Sequence, residues 1–134
     1  MESESTADRF KEVIESVPSG LIMVNTDGNI VLFNRQAEQI FGYLRGEVIG
    51  RPMEVLLPER FRSAHVGMRQ GFMKNASPRQ MGTGRDLFAL RKDGSEFAVE
   101  VGLNPVDTPE GTMVLAAVVD ISERKKAEGR IQQQ

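Results

Sequence analysis

The chain has 134 residues, of which 40% are hydrophobic and 27% charged, and its formal net charge is −2. Such a chain is typical of one globular domain with a real core. It has no cysteine, which excludes disulfides, cysteine-ligated metals and cysteinyl adducts with a chromophore. Its basic residues are scattered, so we expect no nucleic-acid partner. No apolar segment approaches the roughly 20 residues that span a bilayer, and the acidic N-terminus is unlike a signal peptide. We therefore expect a cytoplasmic protein with no membrane partner.

The segment before Pro18 has the pattern of an amphipathic helix. Its apolar residues follow the i, i+3, i+4, i+7 spacing of one helix face, and they are Phe10, Val13, Ile14 and Val17. Proline cannot continue a helix, so Pro18 marks its end. The apolar stripe would cover a sheet face of its own subunit or pair with its copy in a dimer.

Two short apolar strands and a series of short helices follow. We predict strands at residues 21–26 and 29–34 around an Asp27-Gly28 hairpin turn. Asn34 is a good N-cap for a short helix that Gly42 ends. A longer helix is predicted over residues 60–74, with Phe61, Met68 and Phe72 as its apolar contacts.

The second half of the chain reads as three strands and a charged terminal helix. The strands are predicted at residues 85–92, 95–104 and 112–121, after a loop at 75–84 and with a connection at 104–111. Ser122 would be the N-cap of the terminal helix. The order of elements indicates an α+β fold with one antiparallel sheet and its helices on one face.

The stretch from residue 87 to residue 103 permits two hairpin registers. A two-residue turn at residues 93 and 94 would place Phe88 and Leu90 on the inner sheet face. A three-residue turn, with Gly94 left-handed in a bulge, would place Leu87 and Ala89 inside instead. Phe88 and Leu90 would then lie on the outer face and need a cover.

Six pieces of sequence, in this order and spacing, resemble the PAS sensor family over about residues 10 to 126. They are VNTDGNI at 24–30, NRQAE at 34–38, FGY at 41–43, EVIGR at 47–51, RKDGSEF at 91–97 and DISERK at 120–125. The resemblance implies a PAS fold with a single five-stranded antiparallel sheet and short helices on one face. It also implies an N-terminal flanking helix at residues 1–19, the PAS domain at 20–121, and the start of a signalling helix at 122–134.

The resemblance further implies a sensory input domain of a bacterial signalling protein, such as a two-component sensor histidine kinase. The domain would bind a small ligand or mediate dimerisation, and would pass its signal through the C-terminal helix to an output domain. We expect a homodimer through the N-terminal helix and the outer sheet face. That arrangement favours the bulge register, which leaves Phe88 and Leu90 outside.

Such a domain encloses a small pocket between its inner sheet face and its short helices. Three polar residues, Asn34, Tyr43 and Arg85, would orient a small polar ligand that the sequence does not identify. The pocket would be lined by Ile22, Val24, Ile40, Phe41, Leu56, Val101 and Leu103. Alternatively, Asn34 is only an N-cap and Tyr43 only packs against the core.

The resemblance also offers haem b as an alternative ligand. In haem PAS domains of bacterial oxygen sensors, a histidine on the long helix ligates iron and a later arginine contacts the bound gas. His65 and Arg85 are similar to that pair, with Val101 and Leu103 as the distal wall. The chain departs from the pattern in its propionate-binding residues and at Gln80, where an apolar residue is expected. His65 would otherwise be a partly exposed helix residue with a local hydrogen bond.

No constellation in the sequence indicates catalysis. His65 is the only histidine, and no nucleophile motif, acid–base pair or carboxylate cluster accompanies it. We therefore expect neither an enzyme nor a metal site. Flavin photochemistry is not expected either, since light-sensing relatives need a cysteine. On balance we predict a domain without haem, whose small pocket is filled by side chains or by an adventitious small molecule.

Overall fold

The computed structural model describes residues 6–67, 79–81 and 87–133 of the chain. The α+β class and its single antiparallel sheet, both predicted from the sequence, are confirmed. In chain order the elements are α1 (Thr6–Ser16), β1 (Gly20–Val24), β2 (Ile30–Phe33), α2 (Arg35–Phe41), α3 (Arg45–Val48), the 3-10 turns Met53–Leu56 and Glu59–Phe61, the helical residues 62–67, β3 (Arg79–Met81), β4 (Phe88–Leu90), β5 (Glu96–Thr108), β6 (Gly111–Asp120) and α4 (Ser122–Gln133).

The sheet has five strand positions in the order β2-β1-β6-β5, followed by an edge that β3 and β4 share. β3 pairs with residues 101–103 of β5 and β4 with residues 96–98, so they lie one after the other along the same edge. The loop predicted at residues 75–84 is therefore wrong at residues 79–81. Within the described part of the strand predicted at residues 85–92, β4 spans Phe88–Leu90, and Arg85 lies outside the described residues.

The connection predicted at residues 104–111 is wrong. β5 continues through Pro105 to Thr108, and only Pro109 and Glu110 separate it from β6. Pro105 pairs with Val114, beyond the last residue of β5 that β3 pairs. A proline lacks the N–H donor of a strand residue, so Pro105 predicts the end of the strand. At such an edge, however, a proline is tolerated within a strand.

The three-residue turn is the register that the structure adopts. Ala89 pairs with Phe97, and each is 4% exposed on the inner face. Gly94 has a φ of 90°, in the left-handed region that favours glycine. Because neighbouring side chains alternate across a strand, Phe88 and Leu90 lie on the outer face.

The core fills the space between the inner sheet face and the short helices. Each large side chain buried there contributes roughly 1.5–3 kcal/mol. Members come from strands, helices and turns alike, including Ile22, Val24, Ile30, Phe33, Ala37, Phe41, Val48, Leu56, Val99 and Val118.

The apolar stripe of α1 does not cover the sheet of its own subunit. Phe10 is 61% exposed and Val13 57% exposed, so of the two predicted alternatives the one in which they cover their own sheet is wrong. The physical reason is that the last turn of α1 is bonded to Asn34 and to Arg45 beside α2 and α3. Cover by a partner's helix stays a prediction.

The helix predicted over residues 60–74 is described only as far as residue 67. Phe61 was predicted to be an apolar contact, yet it is 42% exposed, with the Arg60 guanidinium 4.5 Å from its ring centroid. That part of the prediction is wrong, because residues 59–61 form a 3-10 turn that places Phe61 on the surface. Met68 and Phe72 lie outside the described residues. None of the helices in the described part of the chain is long and apolar enough to cross a bilayer.

Candidate functional site

The structure brings together most of the residues predicted to line a pocket. Ile22, Val24, Phe41 and Leu56 are 2–4% exposed and belong to the core. The partly buried residues that pack against them are Ile40, Tyr43, Val101 and Leu103. These eight residues surround the inner sheet face. Arg85 is outside the described residues.

Asn34 is the most heavily bonded polar residue of this region and is only 1% exposed. Its amide oxygen accepts hydrogen bonds from the backbone N–H groups of Leu21 and Ala37, both at 2.9 Å. Its amide nitrogen donates to the carbonyls of Ile14 at 2.8 Å and Ser19 at 3.2 Å. An asparagine amide has two N–H donors and one oxygen with two lone pairs, so a ligand would have to displace an existing bond. The predicted N-cap of α2 is confirmed.

His65 lies beside a buried carboxylate. Its Nδ1 is 2.7 Å from Oε2 of Glu54, and the two side chains are 19% and 7% exposed. A carboxylate on Nδ1 fixes the orientation of an imidazole ring and leaves ligation of a metal to Nε2. In the described part of the chain, no three histidines or carboxylates are grouped as a metal site would require. Glu54 thus orients the His65 ring, and the described residues place no second metal-binding side chain beside it.

A second polar cluster lies where β6 gives way to α4. Nη2 of Arg91 is 2.8 Å from Oδ2 of Asp120, and the guanidinium stacks over the Phe97 ring at 4.0 Å from its centroid. Oδ1 of Asp120 accepts a hydrogen bond from the backbone N–H of Ser122 at 2.8 Å. This bond attaches the Asp120 side chain to the first residue of α4. Arg91 also donates from Nε to the Ile40 carbonyl at 3.2 Å. One side chain thus connects the β4–β5 hairpin, the end of α2 and the start of α4.

The electrostatics of Asp120 reflect these contacts. Partial burial alone would raise the pKa of this carboxyl group. The hydrogen bonds from Ser122 and the nearby Arg91 charge outweigh burial and hold the pKa of Asp120 below its ordinary value of 3.8. The carboxylate is consequently the stable form, which both the ion pair and the helix start require.

The sequence analysis did not identify Arg91 as a functional residue. Arg91 is the first residue of the RKDGSEF piece and Asp120 the first of the DISERK piece, but the two residues are 29 apart in sequence. A surface cleft of about 510 Å³ lies at this junction and is lined by Arg91, Glu96, Phe97, Asp120, Ser122, Glu123 and Lys126. Opposite charges line the cleft in pairs, including Glu123 with Lys126.

Comparisons with known proteins agree with this architecture. The chain is 26% identical to the sensor protein FixL of Bradyrhizobium diazoefficiens, over 92% of this chain and 25% of that protein. It is 30% identical to the oxygen sensor protein DosP of Escherichia coli, over 90% of this chain and 15% of that protein. The chain thus spans a quarter or less of the length of these relatives.

Among solved structures, the PAS domain of an HTR-like protein from Haloarcula marismortui superposes with a TM-score of 0.75 at 25% identity. The match covers 90% of this chain and 95% of that one. The family model described as the PAS fold matches residues 8–121. Because that match covers most of the chain, the protein belongs to the PAS family, a family of sensory modules that are typically not catalytic.

Proposed function

We propose that this domain is an input module of a bacterial signalling protein and passes a conformational change through α4 to an output domain such as a histidine kinase. The observation that carries the proposal is the set of contacts made by Asp120. This residue ends β6, pairs with Arg91 and binds the first N–H of α4. Only Ile121 lies between strand and helix, and it is itself buried.

A continuous set of packed side chains leads from the core to this junction. The Phe41 ring lies 6.0 Å from Phe33 and 5.5 Å from Phe97, and Phe97 carries the Arg91 guanidinium. A rearrangement around Phe41 would therefore act on Arg91 and then on Asp120. Packed continuity supports such coupling only if the junction has two arrangements, so the proposal requires an experiment.

The test is a glycine inserted after Ser122 in the full-length parent protein, with output activity as the readout. We expect the insertion to uncouple the output domain from the PAS domain, because it adds a flexible residue to the direct connection between β6 and α4. A glycine inserted between Pro109 and Glu110 is the matched control, since that turn lies at the other end of β6. A parent protein that behaves normally with both insertions would contradict the proposal.

We also propose that the domain forms a homodimer through α1 and the outer sheet face. Phe10 and Val13 project from α1 into solvent. Register and alternation place further apolar side chains, all at least partly accessible, on the outer face, and they are Met23, Leu32, Phe88, Leu90, Met113 and Leu115. Two such surfaces on one chain are suited to cover each other in a symmetric pair.

Sedimentation of the double variant Phe10→Asp, Val13→Asp tests the dimer. We expect the variant to sediment as a monomer that keeps a native far-UV circular dichroism spectrum, because both side chains are exposed in the single chain. The control is Leu44→Asp, since Leu44 is 69% exposed but lies on the helical side. An unchanged mass for the double variant would contradict this interface.

The occupancy of the core region is a separate proposal, and the alternatives are a small ligand or none. The low exposure of Ile22, Val24, Phe41 and Leu56, together with the fully used amide of Asn34, supports a domain that acts as a dimerisation adaptor with a small or filled pocket. Native mass spectrometry of freshly purified protein distinguishes the two. A stoichiometric adduct, released on denaturation, would support a ligand-binding sensor.

Haem remains the second candidate because of one observation, the contact of His65 with Glu54. The imidazole has the chemistry of an iron ligand, and the carboxylate on Nδ1 would orient Nε2 towards the metal. Haem, when bound, would supply an iron that takes up a diatomic gas. The packing of four of the predicted pocket residues at 2–4% exposure supports a pocket too small for a porphyrin. We therefore propose that the domain works without haem.

Reconstitution with hemin tests this proposal. We expect only the broad absorption of loosely associated hemin, with no difference between the native chain and the His65→Ala variant. A sharp Soret band that His65→Ala abolishes would prove it wrong. In that case Glu54→Gln tests the role of the carboxylate more specifically. It keeps the size of the side chain and removes the negative charge that faces Nδ1 of His65.

A further inference from the structure

The last turn of α1 is attached to the rest of the domain at two neighbouring points. At the first, the Ile14 carbonyl accepts a hydrogen bond from Asn34 at 2.8 Å. At the second, both carboxylate oxygens of Glu15 bind the Arg45 guanidinium, at 3.1 and 3.0 Å. Consecutive residues of one helical turn are therefore held by two different side chains of the domain.

The second attachment is an ionic cluster centred on Arg45, and a fourth residue, Arg35, lies at its edge with Nε 3.8 Å from Oε2 of Glu15. Besides Glu15, Arg45 binds both carboxylate oxygens of Glu38, at 3.3 and 3.4 Å, and its backbone N–H donates to the same carboxylate at 2.7 Å. The hydrogen bond from Arg45 lowers the pKa of Glu15 despite partial burial, and the pKa of Glu38 is lowered likewise. Arg45 is thus fixed to α2 by Glu38 and donates from Nη1 and Nη2 to Glu15 of α1.

The two attachments differ in their access to solvent. Asn34 is 1% exposed, and its four bonds cannot open without exposing the end of the core. The side chains of Arg45, Glu15 and Glu38 are 42%, 17% and 19% exposed, so ions and water reach the cluster. Partly exposed ion pairs are weakened by salt and are worth much less than buried hydrogen-bond networks.

We propose that α1 is held by a fixed pivot and a releasable clasp. Asn34 is the pivot, Arg45 with Glu15 is the clasp, and opening of the clasp lets the earlier turns of α1 change direction while the sheet and core stay folded. The exposure of Phe10 and Val13 fits this arrangement, because neither of these side chains, both ahead of Ile14, is buried against the domain. The device depends neither on a ligand nor on the proposed output through α4.

Hydrogen–deuterium exchange of the intact chain tests the clasp. We expect Arg45→Gln to speed amide exchange in residues 10–16 about fivefold, in keeping with the loss of a well-formed ion pair, and to leave β5 and β6 unchanged. Arg45→Lys, which keeps the charge but not the two parallel bonds, should fall between. In ~1 M salt, where the Debye length is ~3 Å, the native chain should approach the Arg45→Gln variant.

Glu15→Gln is the second variant, because it opens the clasp from the α1 side and leaves the Arg45–Glu38 contact intact. The double variant should then exchange no faster in α1 than Glu15→Gln alone, since Glu15→Gln already removes the contacts of Glu15 with both Arg45 and Arg35. The matched control is Arg60→Gln, which removes an equally bidentate pair with Glu96, at 2.6 and 2.7 Å, on residues that do not touch α1.

Three outcomes would overturn the proposal. The first is unchanged exchange in α1 with both Arg45→Gln and Glu15→Gln. The second is equal acceleration in α1, β5 and β6, which would make Arg45 a general stabilising residue. The third is acceleration of α1 by the Arg60→Gln control.

Discussion

The helices at the two ends of the domain are joined to the sheet by different kinds of contact. α1 is held by Asn34, whose amide is buried and makes four hydrogen bonds to backbone groups, in addition to the Arg45 cluster. α4 follows β6 directly and is held by Asp120, whose side chain is 28% exposed, and by an ion pair of Arg124 with Glu100 at 2.5 Å.

This difference indicates which attachment can change its geometry at a small cost in free energy. Breaking a buried hydrogen bond leaves an unsatisfied polar group and costs about 1–3 kcal/mol for each group. Breaking a half-exposed ion pair costs about 0–1 kcal/mol, since water replaces the partner. The pivot of α1 is therefore a fixed point of the fold, whereas the start of α4 can be rearranged within ordinary thermal energies. This agrees with α4 as the proposed route of output.

The largest expected effect is that of Asn34→Ala. The change removes four hydrogen bonds and leaves backbone groups of β1, α2 and α1 without partners, so we expect a loss of about 3 kcal/mol or more in the free energy of unfolding. Urea denaturation measures it. Asn34→Asp retains the accepting oxygen but sets a buried carboxylate against the carbonyls of Ile14 and Ser19, so it should lose at least as much. A loss below about 1 kcal/mol for the alanine variant would remove the contrast between the two ends.

Asp120→Ala should have an intermediate effect. It removes the ion pair with Arg91 and the acceptor for the Ser122 N–H, and we expect a loss of about 1–2 kcal/mol. Asp120→Asn keeps an acceptor for Ser122 and should lose less. Amide exchange at residues 122–127 should rise more than at α1. The comparison fails if Asp120→Ala destabilises the domain as much as Asn34→Ala.

The third prediction concerns the loss of folding stability at acidic pH. The folded-state pKa values of Glu15 and Asp120 lie below their ordinary values of 4.5 and 3.8. A lowered carboxyl pKa gives stability that is present above the ordinary pKa and is lost as the pH falls through the folded-state pKa. These groups should thus leave stability flat from pH 7 to pH 5, with the contribution of Glu15 declining first.

Acid titrations of the variants check this order. In Glu15→Gln the decline that begins near pH 4.5 should be shallower, and in Asp120→Asn the decline below pH 3.8 should be shallower. If either variant instead loses stability more steeply on acidification than the native chain, the sign assigned to that carboxyl group is incorrect.

The smallest effect is expected for Glu100→Gln, which weakens the contact of α4 with β5. Arg124 is 51% exposed and Glu100 is 27% exposed, so we expect a loss of about 0.5 kcal/mol in the free energy of unfolding. Exchange should rise in α4 alone. A loss above about 2 kcal/mol would mean that α4 is held as firmly as the Asn34 pivot holds α1. The contrast between the two attachments would then be lost.

Much of the local structure follows from the sequence. The hairpins are predicted because Gly28 and Gly94 supply the positive φ that their turns require, and both adopt it. Asn34 was recognised as an N-cap because a short polar side chain before a helix binds the free N–H groups of the first turn. The bulge register was one of two alternatives, and its adoption places Phe88 and Leu90 on the outer face.

The chain by itself determined these features because each rests on backbone chemistry within a few residues. Three contacts between distant parts of the chain are visible only in the folded protein. They are the hydrogen bond of Asn34 to the Ile14 carbonyl 20 residues earlier, the ion pair of Arg91 with Asp120, and the contact of Glu54 with His65. The tertiary structure also decided that Gly20 must be small, because a Cβ there would lie 3.2 Å from the Cα of Ala37. Such contacts depend on which elements become neighbours in the sheet and on its faces, and local propensity does not contain that information.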